Sequence, residues 1–217
     1  MAFGEVGTSL SKIKANSLNL AGTFGFSGTV SGLADETPLV LLSTFTSDGS
    51  DANATFNSSL ITSTYKEYLF VFNNIHPETD NKYLEFHPSI DNGSNYNIAK
   101  TTTFFNAEHN EDDSAANVYY LTSADLAQGT GGQRFNGDGI GADADQSISG
   151  IFRLYNPSST TFVKHFIGNF SFSSAGNSSY NTFVAGYANT TSAVNNVKFQ
   201  MSSDEIQGGT IDLFGVV

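Results

Sequence analysis

The sequence predicts an all-β chain: an antiparallel β-sandwich or jelly roll of about eight strands with an extended N-terminal arm. Three observations point there. Only 14% of the 217 residues are charged, so Ser, Thr, Asn and Gly take the surface. The polar three compete for backbone hydrogen bonds and glycine loses too much backbone entropy, which makes all four poor helix interiors. Hydrophobic residues still make up 39% of the chain and aromatic residues 13%, enough to build a core. From Thr37 onward, short apolar or alternating runs recur about every ten residues with turn chemistry between them.

Residues 1–34 differ from the rest. Gly22, Gly25, Gly28 and Gly32 punctuate AGTFGFSGTVSG around Phe24, Phe26 and Val30, a pattern too glycine-rich for a core strand and too apolar for a free linker. A glycine-rich arm cannot bury Phe against itself, so its aromatics are useful only docked on something else. The segment reads as an attachment arm, with Phe3, Val6, Leu10, Ile13, Leu18, Leu20, Phe24, Phe26 and Val30 as partner-binding anchors. Residues 35–217 then form the sandwich domain.

Within that domain Tyr68–Phe72 is a continuous apolar run, suited to a strand buried on both faces, and NNIHPETDN after it is a break. Lys82–Phe86 alternates, with Leu84 and Phe86 on one face, and Asp91-Asn92-Gly93-Ser94 supplies a turn. Ile98–Phe105 and Val118–Leu121 are shorter strands. Ser123–Gln128 has the form of a short helix, Ser123 its N-cap and Gly129 just past its end. Gly129–Gln146, GTGGQRFNGDGIGADADQ, reads as a long outward-facing loop. Ile148–Leu154, Thr161–Phe172, Thr182–Tyr187, Val197–Met201 and Thr210–Val217 complete the strands.

Composition excludes several functions. A net charge of −12 with no Lys/Arg cluster leaves nothing to displace counterions from a phosphate backbone, so nucleic acid is excluded as a partner. No cysteine is present, which removes disulfides, thiolate metal sites and thiol nucleophiles together. No basic segment followed by a long apolar run opens the chain and no stretch of about 18 apolar residues occurs, so the expectation is a soluble chain without a membrane partner.

Motifs for chemistry are equally sparse. His76, His87, His109 and His165 show no metal-ligand spacing, and no G-x-S-x-G elbow positions a serine. Glu108–Asp113 and the trio Asp138, Asp143 and Asp145 supply hard oxygen ligands, but not in the order of a calcium loop, and read as solvated acidic turns. Gly137-Asp138-Gly139-Ile140-Gly141-Ala142 matches a dinucleotide fingerprint by letters and fails by context, since no apolar strand precedes it and no helix follows. The expectation is a non-enzyme with no catalytic residue, metal or cofactor. Tyr119, Tyr120, Tyr155, Tyr180 and Tyr187 are candidates for an aromatic sugar platform.

From Thr37 to Val217 the chain resembles a group of uncharacterised virion structural proteins, of fibre, appendage or decoration type, common in marine tailed bacteriophages. The residues that carry the resemblance are Tyr65, Tyr68 and Phe70, the turn Asn74-Ile75 with Pro77, Leu84 and Phe86, Gly93 with Tyr96, and the close Gly209-Thr210-Ile211 with Leu213-Phe214-Gly215. It implies a β-sandwich displayed on head or tail in a fibre, knob or other appendage; the alternatives are a capsid decoration protein and a carbohydrate-binding receptor-recognition module. The partners it implies are other virion proteins of capsid, tail or fibre, sister copies in a homo-oligomer with a trimer favoured, and a host surface glycan. It implies localisation in the virion after assembly in the host cytoplasm.

Overall fold

The computed structural model describes residues 38–217; the arm lies outside the described residues. They hold thirteen strands and no helix: β1 (Leu39–Thr46), β2 (Ala54–Phe56), β3 (Glu67–Pro77), β4 (Leu84–Ser89), β5 (Lys100–Asn110), β6 (Ala116–Tyr120), β7 (Ala127–Gly129), β8 (Gln133–Arg134), β9 (Ile148–Tyr155), β10 (Lys164–Ser173), β11 (Ser178–Ala188), β12 (Asn196–Met201) and β13 (Ile206–Val216).

Eight of these make the sandwich. In one long folded-back ribbon the first strand pairs with the last and so inward, and the ladders β1·β13, β2·β12, β3·β9 and β4·β8 are all present and antiparallel. Rolling the ribbon up brings β13 beside β3 and β12 beside β4. The result is two sheets, β1-β13-β3-β9 and β2-β12-β4-β8, which is the jelly-roll order.

The other five strands are insertions: β5–β7 at the tip of the ribbon and β10–β11 between β9 and β12. They find each other. β11 pairs with β5 from Ser178↔Asn110 to Ala188↔Lys100, and the first sheet grows to nine strands while the second stays at four. The expected count of about eight falls short of the thirteen strands: the expected set includes β5, β6, β10 and β11 of the extension and lacks β1, β2, β7 and β8. Of the strands not expected, β2, β7 and β8 are two or three residues long, too short to show a period, and β1 carries the Leu39–Leu42 run.

The core lies between the sheets. Phe70 and Phe72 of β3 meet Phe199 of β12 edge-on at 5.0 Å each, and Phe86 of β4 lies 4.6 Å from Phe152 of β9. Beyond β9 the smaller sheet ends, and the inner face of β10, β11 and β5 needs another cover. Residues 129–146 supply it, contrary to the outward loop expected. Phe135 is fully buried and stacks on Phe170 at 4.4 Å. Buried Gln133, Asn136 and Gln146 use their carboxamides on peptide groups: Gln133 Nε2 donates to the Ala124 carbonyl, Asn136 Oδ1 accepts from the Leu84 N–H, and Gln146 Nε2 donates to the Ser174 carbonyl. Backbone buried without a ladder needs such partners. The glycines serve close approach, since a Cβ at Gly137 would strike the Asn106 side chain and one at Gly141 the Gln146 carboxamide.

Two local expectations fail for related reasons. Ser123–Gln128 is no helix: a turn leads to β7, and just before that strand the Leu126 N–H donates to Thr102 Oγ1 and its carbonyl accepts the Thr102 N–H, bonds to β5 that outweigh one marginal helical turn. Nor does NNIHPETDN end β3 at Phe72. The strand continues to Pro77 through a bulge, with Asn74 at φ 49°, a conformation asparagine tolerates better than most residues.

Candidate functional site

Residues directly opposed in an antiparallel ladder share a face, so the registers trace what the nine-stranded sheet shows on its outer side. One row runs Leu41, Phe214, Leu69, Arg153, Ile167, Ala185, Thr103; the next runs Asp212, Val71, Ile151, Asn169, Phe183, Phe105, Tyr120. Both are mostly apolar. Among the described residues eleven large hydrophobic side chains are exposed, and all but Ile90, Phe162 and Val217 lie on this face. Val118 is 76% exposed and Ile167 49%.

An antiparallel sheet with one wet face ordinarily alternates apolar and polar. This sheet breaks the rule with apolar doublets, Phe104-Phe105, Ile151-Phe152, Phe166-Ile167, Phe183-Val184 and Leu213-Phe214, one member of each in the core and the other outside. The Tyr68–Phe72 run is the same device: Tyr68, Phe70 and Phe72 face the core, while Leu69 and Val71 belong to the outer rows, where Leu69 is buried and Val71 half-buried.

The face has relief. Small Ala185 and Gly186 on β11 and Thr103 on β5 form the floor of a trough of about 480 Å³, walled by Tyr155, His165, Ile167 and Tyr187. The His165 and Tyr187 rings lie 6.0 Å apart. Beside it Phe105 and Phe183 stack at 5.0 Å, 13° from parallel, and stand out as a ridge. Charge is scarce in these rows. Arg153 is bonded to Glu67, and Asp212 accepts a 2.6 Å hydrogen bond from Thr44 Oγ1.

The opposite outer face, on the smaller sheet, is polar and internally satisfied. Glu85 meets His87 at 3.2 Å, Lys198 lies over the Tyr96 ring at 4.3 Å, and Arg134 lies over Tyr83 at 3.9 Å.

The arm anchors Phe3, Val6, Leu10, Ile13, Leu18, Leu20, Phe24, Phe26 and Val30 lie outside the described residues. Of the five tyrosines, Tyr155 and Tyr187 share the trough and Tyr120 stands at the far edge of the same face. Tyr180 turns inward, stacked on Phe172 at 4.8 Å; burial, together with Asp138 and Glu108 nearby, pushes its phenol well above the usual range. Tyr119 shares that inward side, opposite Asn106, so the five do not form one platform. The acidic turns stay apart as well. His109 pairs with Asp113 at 3.2 Å, Asp138 lies by Tyr180, and the Asp143 carbonyl lies 3.1 Å from His76 Nε2. Among the described residues no three His, Cys, Asp or Glu side chains are placed to hold a metal ion.

A scan against family models and searches of curated proteins and solved structures return no match for this chain.

Proposed function

We propose that this chain is a non-enzymatic structural protein of a tailed-phage particle, a jelly-roll sandwich displayed on head or tail in a fibre, knob or appendage and joined to it by residues 1–34. The observation that carries the reading is the apolar, charge-poor outer face of the larger sheet on a chain of net charge −12. Contiguous apolar surface of that extent marks contact with another macromolecule. The sequence resemblance over Thr37–Val217 supplies the particle. Mass spectrometry and gold labelling of purified particles test it: the protein should co-purify in fixed stoichiometry, and its absence from them would end the reading. Copy number separates the variants, since tens to hundreds per head indicates decoration and a few per vertex an appendage.

A truncation tests the arm. The hydrophobic core spans Ala54 to Leu213, so deleting residues 1–34 should leave a sheet-type circular dichroism spectrum while the protein no longer co-sediments with particles. Retained incorporation contradicts the assignment.

A carbohydrate-binding role has one observation in its favour, the rings of Tyr155, His165 and Tyr187 around a trough of sugar-binding size. A glycan array that shows no binding removes it.

A further inference from the structure

We infer that the outer face of the nine-stranded sheet is covered by a second copy of this chain, with the stacked Phe105–Phe183 ridge of one copy seated in the Tyr155–His165–Tyr187 trough of the other. The inference deepens the structural-component reading and rests on it.

Charge selects the occupant. Two copies of a chain carrying −12 repel each other through most of their surface. The strand rows of this face hold Glu67 and Arg153, joined to each other, and Asp212, capped by Thr44. Repulsion between copies is therefore least where these faces meet. A basic partner, by contrast, would be drawn to the acidic turns at Glu111–Asp113 and Asp204-Glu205.

Area and shape agree with charge. Seven strand spacings of about 4.8 Å by five residues of about 3.4 Å give a footprint of roughly 570 Å² on each copy. Two such faces bury roughly 1,100 Å² before side-chain relief is counted, just under the about 1,200–2,000 Å² of stable specific interfaces and above the roughly 1,000 Å² that a biological interface should clear. Ridge and trough also lie side by side on β11 and β5, Phe183 two residues from Ala185 and Phe105 two from Thr103. Neighbouring male and female features on one face meet reciprocally across a two-fold axis, or in sequence around a closed three-fold ring.

The test uses the full chain in native mass spectrometry and light scattering. Wild type should be a homo-oligomer of the 23.1 kDa chain, and Phe183→Asp and Ile167→Asp should each run as monomers. Both side chains point outward and are substantially exposed, so melting temperature and circular dichroism should stay near wild type. Thr55→Asp, on the outer face of the smaller sheet, should leave the oligomer intact. A monomeric wild type, an oligomer that survives both substitutions, or a monomer whose trough binds an oligosaccharide overturns the inference. A wild-type monomer still found in particles overturns it while the structural-component reading stands; an oligomer absent from particles does the reverse.

Discussion

Replacing Phe135 with alanine should lower stability by about 3–5 kcal/mol, the range for deleting a buried phenylalanine. Phe135 is fully buried, and its ring lies 4.4 Å from Phe170, 5.1 Å from Phe152, 5.8 Å from Phe72 and 5.9 Å from Phe199. It is the one ring from residues 129–146 that reaches the junction of sandwich and extension, so its loss leaves a cavity bordered by both sheets. Stiff aromatic neighbours fill such a cavity poorly. At about 2–4 °C per kcal/mol for a domain of this length, the thermal midpoint should fall by roughly 6–20 °C, with Phe135→Leu losing less than half as much. Proteolysis should then cut within residues 129–146 first. A drop of under about 1 kcal/mol, small against the normal range for a buried ring, would mean that the segment is not docked.

The same residue shows what the sequence left hidden. Gly129–Gln146 reads as loop because Gly, Asp, Asn and Gln normally lie in water. Here their roles are inverted. Around the two-residue strand β8, carboxamides of Gln133, Asn136 and Gln146 bond to peptide groups, and glycines let the chain lie against Asn106 and Gln146. Whether a Gln is solvated or bonded to a buried carbonyl depends on what lies opposite it in space, and one sequence does not carry that. Strands with an unambiguous period were legible: β4, β9, β12 and β13 stand close to where alternation places them. The way β10–β11 and β5 join into one sheet was not, because the pairing links elements some eighty residues apart.

The outer face of the larger sheet was half legible. A run such as Tyr68–Phe72 announces apolar residues on both sides of a strand, and the natural inference is burial on both sides. The inner side is buried by the core, and on the outer side Leu69 is buried as well while Val71, half-buried, leads into the exposed rows. What the run encodes is a second surface to be covered, and the Phe104-Phe105 and Phe183-Val184 doublets repeat it. Taken together, the doublets point to such a face from the amino-acid order alone. Its trough and ridge depend on the register that sets Phe105 beside Phe183 and Thr103 beside Ala185, which only the fold supplies.

Lys100→Met should stabilise the protein at neutral pH and lose that advantage in alkali. Lys100 is fully buried on the inner side of β5, where its ammonium donates to one acceptor, the Ile98 carbonyl at 3.0 Å. Burial pushes its pKa down to about 8 from an ordinary 10.5, with Glu85 offsetting part of the shift. A lysine lowered in the folded state binds its proton less tightly there than in the unfolded chain, so below pH 8 it opposes folding, and stability rises as pH climbs from 8 towards 10.5. The shift corresponds to about 3 kcal/mol. Methionine has nearly the same shape and no charge, but it leaves the Ile98 carbonyl without a donor, at about 1–3 kcal/mol. The net expectation is a gain of about 0–2 kcal/mol at pH 7 that vanishes or reverses by pH 10. Burial lowers Lys164 and Lys198 and raises Tyr96, Tyr119 and Tyr180, so wild type alone reports a mixture of titrations. The difference between variant and wild type in denaturant melts at pH 7 and pH 10 isolates Lys100. A difference that does not change with pH would show that the buried amine carries no proton at pH 7 or finds partners that fully compensate it.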